Sequence, residues 1–382
     1  MSRNLLSERA TYVVGIGLHP YQRRSATTYV TLGLTAARQA LADAGIAWTD
    51  VDAAYTGTAL LGMGASRIML SRLGSTGIPM TQVENASASG SSAVAQACLD
   101  VASGRSDVVL ALGVDKPRGG LGAAPGSAGI ENLEGGTVVP FTHFALLASE
   151  YMTAHGITAE QVARVALKNH RNGANNPNAQ RQKQRTLDEI LSEPISGSMT
   201  RLQCCPVGEG SAAVIVASGD AIDRLGLDRS RAVRILSSTT RTERLYGPGE
   251  GIDAALTAET AALAFDQASI APTDIDVLEV HDAFSIEELL YTEALGLCQP
   301  GEAASLVESG AFDLGGRCAV SPSGGLLAMG HPIGPTGTGQ VAEITRQLRG
   351  EAGIRQQPHA RTGLAHMVGI GAVCVVHVLQ KQ

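Results

Sequence analysis

One nine-residue stretch occurs twice in this chain: Ala44-Gly45-Ile46-Ala47-Trp48-Thr49-Asp50-Val51-Asp52 lies over Ala268-Ser269-Ile270-Ala271-Pro272-Thr273-Asp274-Ile275-Asp276 at a constant offset of 224 residues. Each copy stands between a helical pattern and a short strand. Thr11 to Gly17 reads as a buried strand, Thr28 to Ala44 as an amphipathic helix closed by Gly45, and Val51 to Tyr55 as the next strand. Val233 to Ser237, Leu256 to Ala268 and Ile275 to Val280 repeat that order. An internal duplication of this kind implies two similar α/β halves with helices on both sheet faces.

With 382 residues, 44% of them hydrophobic and 17% charged, the chain is long enough for two or more packed units. Its 45 glycines and 3% aromatic content require a core of Ala, Val, Leu and Gly, which suits closely packed layers. A net charge of −7 argues against general affinity for nucleic acid or anionic membrane. The cysteines Cys98, Cys204, Cys205, Cys298, Cys318 and Cys374 show no zinc spacing, so no metal site is expected and they read as buried thiols in a reducing compartment. No apolar run is long enough for a membrane span, and Met1 to Arg9 lacks a signal-type apolar stretch. Cytoplasm is the expected location.

A short β-prone run from Met80 to Glu84 stops at Asn85-Ala86-Ser87-Ala88-Ser89-Gly90, after which Val94, Ala97, Cys98 and Val101 share one helix face up to Gly104. Strand, tight turn and helix place Ser87 at a helix N-terminus, where free N–H groups favour negative charge. This segment resembles the nucleophile segment of the thiolase superfamily, Cys-x-Ser-Gly, with Ser87 at the cysteine position. Leu202 to Val216 resembles the segment that closes a thiolase's first half, with Glu209 where aspartate is usual and an architectural role expected for it. Between these segments lies an insertion. Pro117 to Gly129 reads as loop, Phe141 to His155 and Thr158 to His170 as helices, and Arg171 to Arg185 as a polar segment. The cluster Arg171, Arg181, Lys183 and Arg185 suits either a solvated loop or, by the resemblance, a contact with the phosphates of coenzyme A.

His281-Asp282-Ala283-Phe284 follows the strand Asp276 to Val280 and precedes the helix Ser285 to Leu295, the end of the strand where sites form in α/β sheets. It resembles the His-Asp-Cys-Phe motif of sterol-carrier-protein-type thiolases, and by that match His281 helps to form an oxyanion hole. Asp282 reads as the N-cap of the helix. Ala283 stands where those enzymes carry an acid/base cysteine. Ser321 to Gly339 is a glycine-rich loop that gives way to a helix at about Gly339 and lacks the nucleotide-binding glycine patterns. Its Gly330-His331-Pro332 matches a thiolase motif, and by that match His331 is the base that activates the nucleophile. Ser323, Gly324 and Gly325 of this loop, together with His366, are the positions expected to contact substrate. Gly363 to Val376 reads as two strands around a glycine turn, without the Cys-x-Gly of many thiolases at the turn and with Cys374 buried in the second strand.

The resemblance implies a thiolase fold: two duplicated halves, each with a mixed β-sheet, layered α-β-α-β-α, plus an inserted loop domain. The expected boundaries are residues 1–116 with 201–225, then 117–200, then 226–382. It also implies an acyl-CoA substrate, coenzyme A as substrate or product with no resident cofactor, a homodimer paired through strands such as Met80 to Glu84, and in short forms a small zinc- and OB-fold partner. Three activities stay open. One is Claisen cleavage or condensation of a β-ketoacyl-CoA, slowed because a serine hydroxyl is far less acidic than a thiol. The others are retro-aldol cleavage of a β-hydroxyacyl-CoA without an acyl-enzyme, and acyl-CoA binding as a scaffold.

Overall fold

The computed structural model describes residues 4–117, 140–246, 252–369 and 373–382. The first half comprises β1 (Thr11–Gln22), α1 (Tyr29–Ala44), β2 (Ala53–Gly57), β3 (Met80–Val83), α2 (Ser89–Ala102) and β4 (Val108–Asp115). An insertion with α3 (Pro140–His155) and α4 (Ala159–Ala174) follows, and β5 (Glu209–Ser218) completes the half. The second half comprises β6 (Val233–Thr242), α5 (Ile252–Ala268), β7 (Val277–Glu279), α6 (Ser285–Ala294), β8 (Ala319–Val320), α7 (Thr336–Arg349), β9 (Thr362–Gly369) and β10 (Val373–Lys381).

The duplication is visible in the topology. The first half orders its strands β3-β2-β4-β5-β1 and the second β8-β7-β9-β10-β6, and the two arrays join edge to edge in one mixed sheet. The seam is short: Thr11, Tyr12 and Val13 pair antiparallel with Ile235, Arg234 and Val233. The repeated stretch does the same work in each half. Asp50 and Asp274 each accept the N–H three residues earlier, at 2.8 Å, and so close a single turn. Asp52 Oδ2 accepts from Asp107 and Val108 N–H at 2.8 and 2.9 Å, and Asp276 Oδ2 accepts from Arg361 and Thr362 N–H at 2.8 and 3.0 Å. In both halves an aspartate ahead of the second strand thus holds the start of its parallel neighbour.

Helix α1 covers β1 and β5 from outside, and α5 covers β6 and β10. Helices α2 and α7 each touch strands of both arrays, so they form the middle of five layers. Their crossing is tight because its residues are small. A Cβ on Gly337 would sit 2.1 Å from Ser91 Oγ, and one on Gly90 would sit 2.4 Å from the Gly334 carbonyl oxygen. This packing also explains why α7 starts at Thr336 and not near Gly339 as expected. Thr336-Gly337-Thr338-Gly339 has poor helix propensity, but it is wound against α2, and tertiary contact outweighs propensity.

In the insertion, α4 runs to Ala174, so Arg171 belongs to a helix and pairs with Asp313 at 2.5 Å. Arg181 donates to the Cys204 and Leu327 carbonyls at 2.9 and 2.8 Å, while Lys183 and Arg185 share Glu189. The expected loop from Pro117 to Gly129 lies outside the described residues after Pro117, as does the turn at 370–372. No described helix is long and apolar enough to cross a membrane. Gly337→Ala should push α2 and α7 apart and lower stability by about 1–3 kcal/mol, the usual cost of overpacking, read as a lower urea midpoint with an unchanged slope.

Candidate active site

The turn between β3 and α2 is held by its own small polar residues. Glu84 Oε1 accepts from Ala86 N–H at 2.6 Å, Ser89 Oγ donates to the Ala86 carbonyl at 2.6 Å, and Asn85 N–H donates to Ser89 Oγ at 2.9 Å. These bonds fix Ala86 at φ 48°, a left-handed conformation that costs a residue with a Cβ energy unless its surroundings impose it. The result is that Ser87, buried to 7% exposure, is presented just ahead of α2.

Ser87 Oγ lies 3.1 Å from His331 Nε2. His331 Nδ1 is 2.9 Å from Thr336 Oγ1, whose own hydrogen goes to the Pro332 carbonyl at 2.6 Å. Thr336 can therefore only accept from the imidazole, which places the ring hydrogen on Nδ1 and leaves Nε2 free to take a proton from Ser87. Burial, with a smaller contribution from His281, pushes the His331 pKa down to about 3, so the ring is neutral at physiological pH. The loop is anchored across the two halves. The buried Asp115 carboxylate at the end of β4 accepts from Gly334 N–H at 2.6 Å, and also from Thr58 Oγ1 and the Ala59 and Leu60 N–H groups.

His281 meets His331 edge to face with ring centres 5.5 Å apart. Its Nδ1 is 3.1 Å from Glu287 Oε1, which also accepts from Tyr291 Oη at 3.2 Å, while Glu287 Oε2 accepts from Phe284 N–H at 2.8 Å. A carboxylate can only accept, so Nδ1 carries a hydrogen; Nε2 is buried and, among the described residues, has no protein partner. To donate from that position the ring needs a proton on Nε2 as well, opposite Glu287. The two rings are thus differently placed: His331 Nε2 is on Ser87, while His281 Nε2 is open beside it.

His366 stands behind His281. It is fully buried, its Nδ1 faces the His281 N–H at 3.4 Å, its Nε2 lies 3.0 Å from Thr257 Oγ1, and burial lowers its pKa to about 3. Its described contacts position His281. Ser323 is also engaged internally: its N–H and Oγ donate to Glu279 at 2.9 and 2.8 Å, and burial raises the Glu279 pKa to about 8. Gly324 and Gly325 have positive φ, and protein stands where a Cβ would go, 2.7 Å from Gly173 Cα and 2.1 Å from Asp282 Oδ2. The glycines expected at the substrate thus pack the loop against α4 and Asp282, and Ser323 holds Glu279.

Asp282 is not the cap of α6: the N-cap is Phe284, whose N–H donates to Glu287 Oε2, and Asp282 accepts instead from Leu326 N–H at 2.7 Å and Asn169 Nδ2 at 2.6 Å. Burial, and then Glu288 nearby, raises its pKa well above the usual carboxylate range. Lys168 completes this polar cluster, 3.0 Å from Glu288. Glu209 is architectural, as expected: Gln22, Ser25 and Lys116 all donate to it. Among the described residues no backbone N–H donates to Ser87 Oγ, and His331 is its partner. Burial pushes the Cys98, Cys204 and Cys318 thiols up to about 12, 11 and 12, so these offer no thiolate.

Sequence reasoning missed Thr336, Glu287 and Asp115. Glu287 carries a readable signal, a carboxylate three residues after Phe284 at a helix start. Asp115 carries none, because its partner Gly334 is 219 residues away.

A family model described as "Thiolase, N-terminal domain" matches residues 21–187, and one described as "Thiolase C-terminal domain-like" matches residues 250–381. Human "Sterol carrier protein 2" is 38% identical over 393 residues, covering 96% of this chain and 71% of the relative. The chain belongs to the thiolase superfamily, of the sterol-carrier-protein type. Within that superfamily it is also 34% identical to "Benzoylsuccinyl-CoA thiolase subunit BbsB" of Thauera aromatica, over 95% of this chain and 96% of that one. Among solved structures, the "Ltp2-ChsH2(DUF35) aldolase" superimposes with a TM-score of 0.82 at 26% identity, covering 97% of this chain and 98% of that one.

Four histidines, the buried His170, His366 and His377 and the half-buried His331, have folded pKa values lowered by desolvation to about 4, 3, 4 and 3 in that order. The unfolded chain, with histidines near ~6.5, binds more protons below that pH, so these four histidines favour folding less as pH drops from about 6.5 towards 4. Asp115, Glu279 and Asp282, raised by burial, act in the opposite sense. The direct readout is therefore the ring itself: the His331 resonances should not titrate between pH 7.5 and 5.5.

Proposed function

We propose that this thiolase-superfamily chain acts on the carbon–carbon bond of an acyl-CoA thioester as an acyltransferase, with Ser87 in the place of the usual cysteine, and that its Claisen activity is weak or altered for that reason. The observation that carries this reading is the 3.1 Å contact between Ser87 Oγ and a neutral His331, beside His281 with its unpartnered Nε2. His331 takes the Ser87 proton as Oγ attacks the β-keto carbonyl, the bond between the α- and β-carbons breaks to leave the acyl group on Oγ, the proton passes to the α-carbon of the departing CoA thioester, and the acyl group then moves to the thiol of CoA, with His281 donating to the oxygen that becomes negative. Thr336 keeps His331 in the tautomer this needs.

A second reading is favoured by the likeness to the Ltp2–ChsH2 aldolase and by the methyl group at Ala283. In it His331 deprotonates the hydroxyl of a β-hydroxyacyl-CoA, the carbon–carbon bond breaks, and the enolate oxygen receives the hydrogen bond from His281. No acyl group passes to Ser87 in this case. A scaffold without chemistry is the weakest of the three readings, since it has no use for a base held in one tautomer.

BbsB is named as a subunit, and the aldolase is named as a pair of proteins. We therefore propose a second protein for this chain too, the small zinc- and OB-fold partner that the resemblance implies. A homodimer is supported by β3, which closes the sheet with its outer edge unpaired among the described residues. Cytoplasmic location remains part of the proposal.

The test is cleavage of β-ketoacyl-CoA and β-hydroxyacyl-CoA with and without added CoA. In the acyltransfer reading, cleavage needs CoA, Ser87→Ala lowers it at least ~100-fold, and Ser87→Cys raises it. Cleavage of the hydroxy substrate that needs no CoA and survives Ser87→Ala selects the aldol reading. Because His331 is already neutral, kcat/KM should show no acid limb near pH 6.5 in either case.

A further inference from the structure

Ser87 and His331 have an arrangement whose use does not require a carbon–carbon bond to be made or broken. The hydroxyl contacts a ring nitrogen at 3.1 Å, the other nitrogen is fixed by Thr336 at 2.9 Å, and a strained residue, Ala86 at φ 48°, holds the serine at the strand-to-helix turn. A third group, His281 Nε2, is buried beside the pair without a protein partner. Nucleophile, oriented base and a third group that donates once it carries a proton are the three parts that acyl transfer to an alcohol needs.

The chemistry of the resulting ester then decides where the acyl group goes. A cysteine nucleophile forms a thioester, equal in energy to the CoA thioester it came from, so transfer back to CoA is balanced. Serine forms an oxygen ester, which is more stable than a thioester, so return to a CoA thiol runs uphill. Hydrolysis of the ester runs downhill, and water becomes the favoured acceptor.

We propose that the Ser87–His331 pair also hydrolyses CoA thioesters through an O-acyl-serine. In the first step the Ser87 Oγ–carbonyl carbon bond forms, the carbonyl carbon–sulfur bond breaks, and the serine proton passes through His331 Nε2 to the departing CoA sulfur. In the second step His331 takes a proton from water, the water oxygen bonds to the carbonyl carbon, the ester C–O bond breaks, and the proton returns to Ser87 Oγ. The products are the carboxylic acid and CoA thiol, and water is the co-reactant. The proposal rests on the CoA-thioester reading above for its substrate class, but not on carbon–carbon chemistry.

The experiment supplies the full chain with acetyl-CoA, which has no β-keto or β-hydroxy group, and follows release of acetate and of thiol alongside labelling by a fluorophosphonate, a probe for activated serines. The expected result is acetate and thiol in equal amounts, which condensation of two acetyl-CoA molecules would not give, and a label on Ser87 located by peptide mass. Both should fall at least ~100-fold in Ser87→Ala and in His331→Ala, with unfolding midpoints checked so that a misfolded variant is not counted. Thr336→Val should shift the pH dependence of labelling without changing the labelled residue, an effect that loss of folding alone would not produce. Thiol release that is undiminished in Ser87→Ala, or a folded wild-type protein whose Ser87 resists the probe, overturns the proposal. The β-ketoacyl-CoA cleavage assay separates the two readings. Ser87-dependent thiol release without carbon–carbon cleavage leaves this one standing and removes the acyltransferase. Cleavage without Ser87-dependent thiol release does the reverse.

Discussion

The close crossing of α2 and α7 is the constraint on which the rest depends. Both helices are sandwiched between strand arrays from the two halves, and they approach through Gly90 and Gly337, where nothing larger fits. Ser87 precedes one helix and His331 precedes the other. The distance between Ser87 Oγ and His331 Nε2 therefore depends on a glycine contact deep in the molecule as well as on the loops that carry them. Asp115 adds a second tie, from the end of β4 to the His331 loop. The duplication explains why this junction exists: α2 and α7 are corresponding helices of the two halves, meeting at the pseudo-symmetry axis.

Electrostatics then divides the labour between two imidazoles that touch. His331 lies where desolvation disfavours charge and so stays a base. His281 has Glu287 on its Nδ1 and an open Nε2. The nearby His281 adds to the effect of burial in holding the His331 pKa down. With cysteine at position 87 such a pair would sit beside a thiolate. With serine the proton must move in the same step as the attack, which raises the demand on the tautomer that Thr336 maintains.

The repeated nine-residue stretch makes the two-half architecture legible in the sequence, because its aspartates do local work that recurs wherever a strand must start beside a parallel neighbour. The Ser87, His281 and His331 positions are legible from short motifs at strand ends and helix starts. What cannot be read from the residues is any bond between distant segments: Asp115 with Gly334, His366 with the backbone of His281, Asp282 with Leu326. The same holds for the glycine-rich loop: Gly324 and Gly325 leave room for a neighbour, and nothing in their sequence says that α4 and Asp282 fill it. Local propensity starts helix α7 too late because it says nothing about the packing that winds Thr336 to Gly339.

The central claim is that a thioester carbonyl is received where the two halves meet. A crystal structure of the Ser87→Ala protein soaked with acetyl-CoA tests it most directly. The account predicts the thioester carbonyl carbon over the residue-87 methyl group, with its oxygen within about 3 Å of His281 Nε2, a normal hydrogen-bond length. A thioester bound with its carbonyl away from both histidines, in a crystal where the nucleotide end is well ordered, would contradict it.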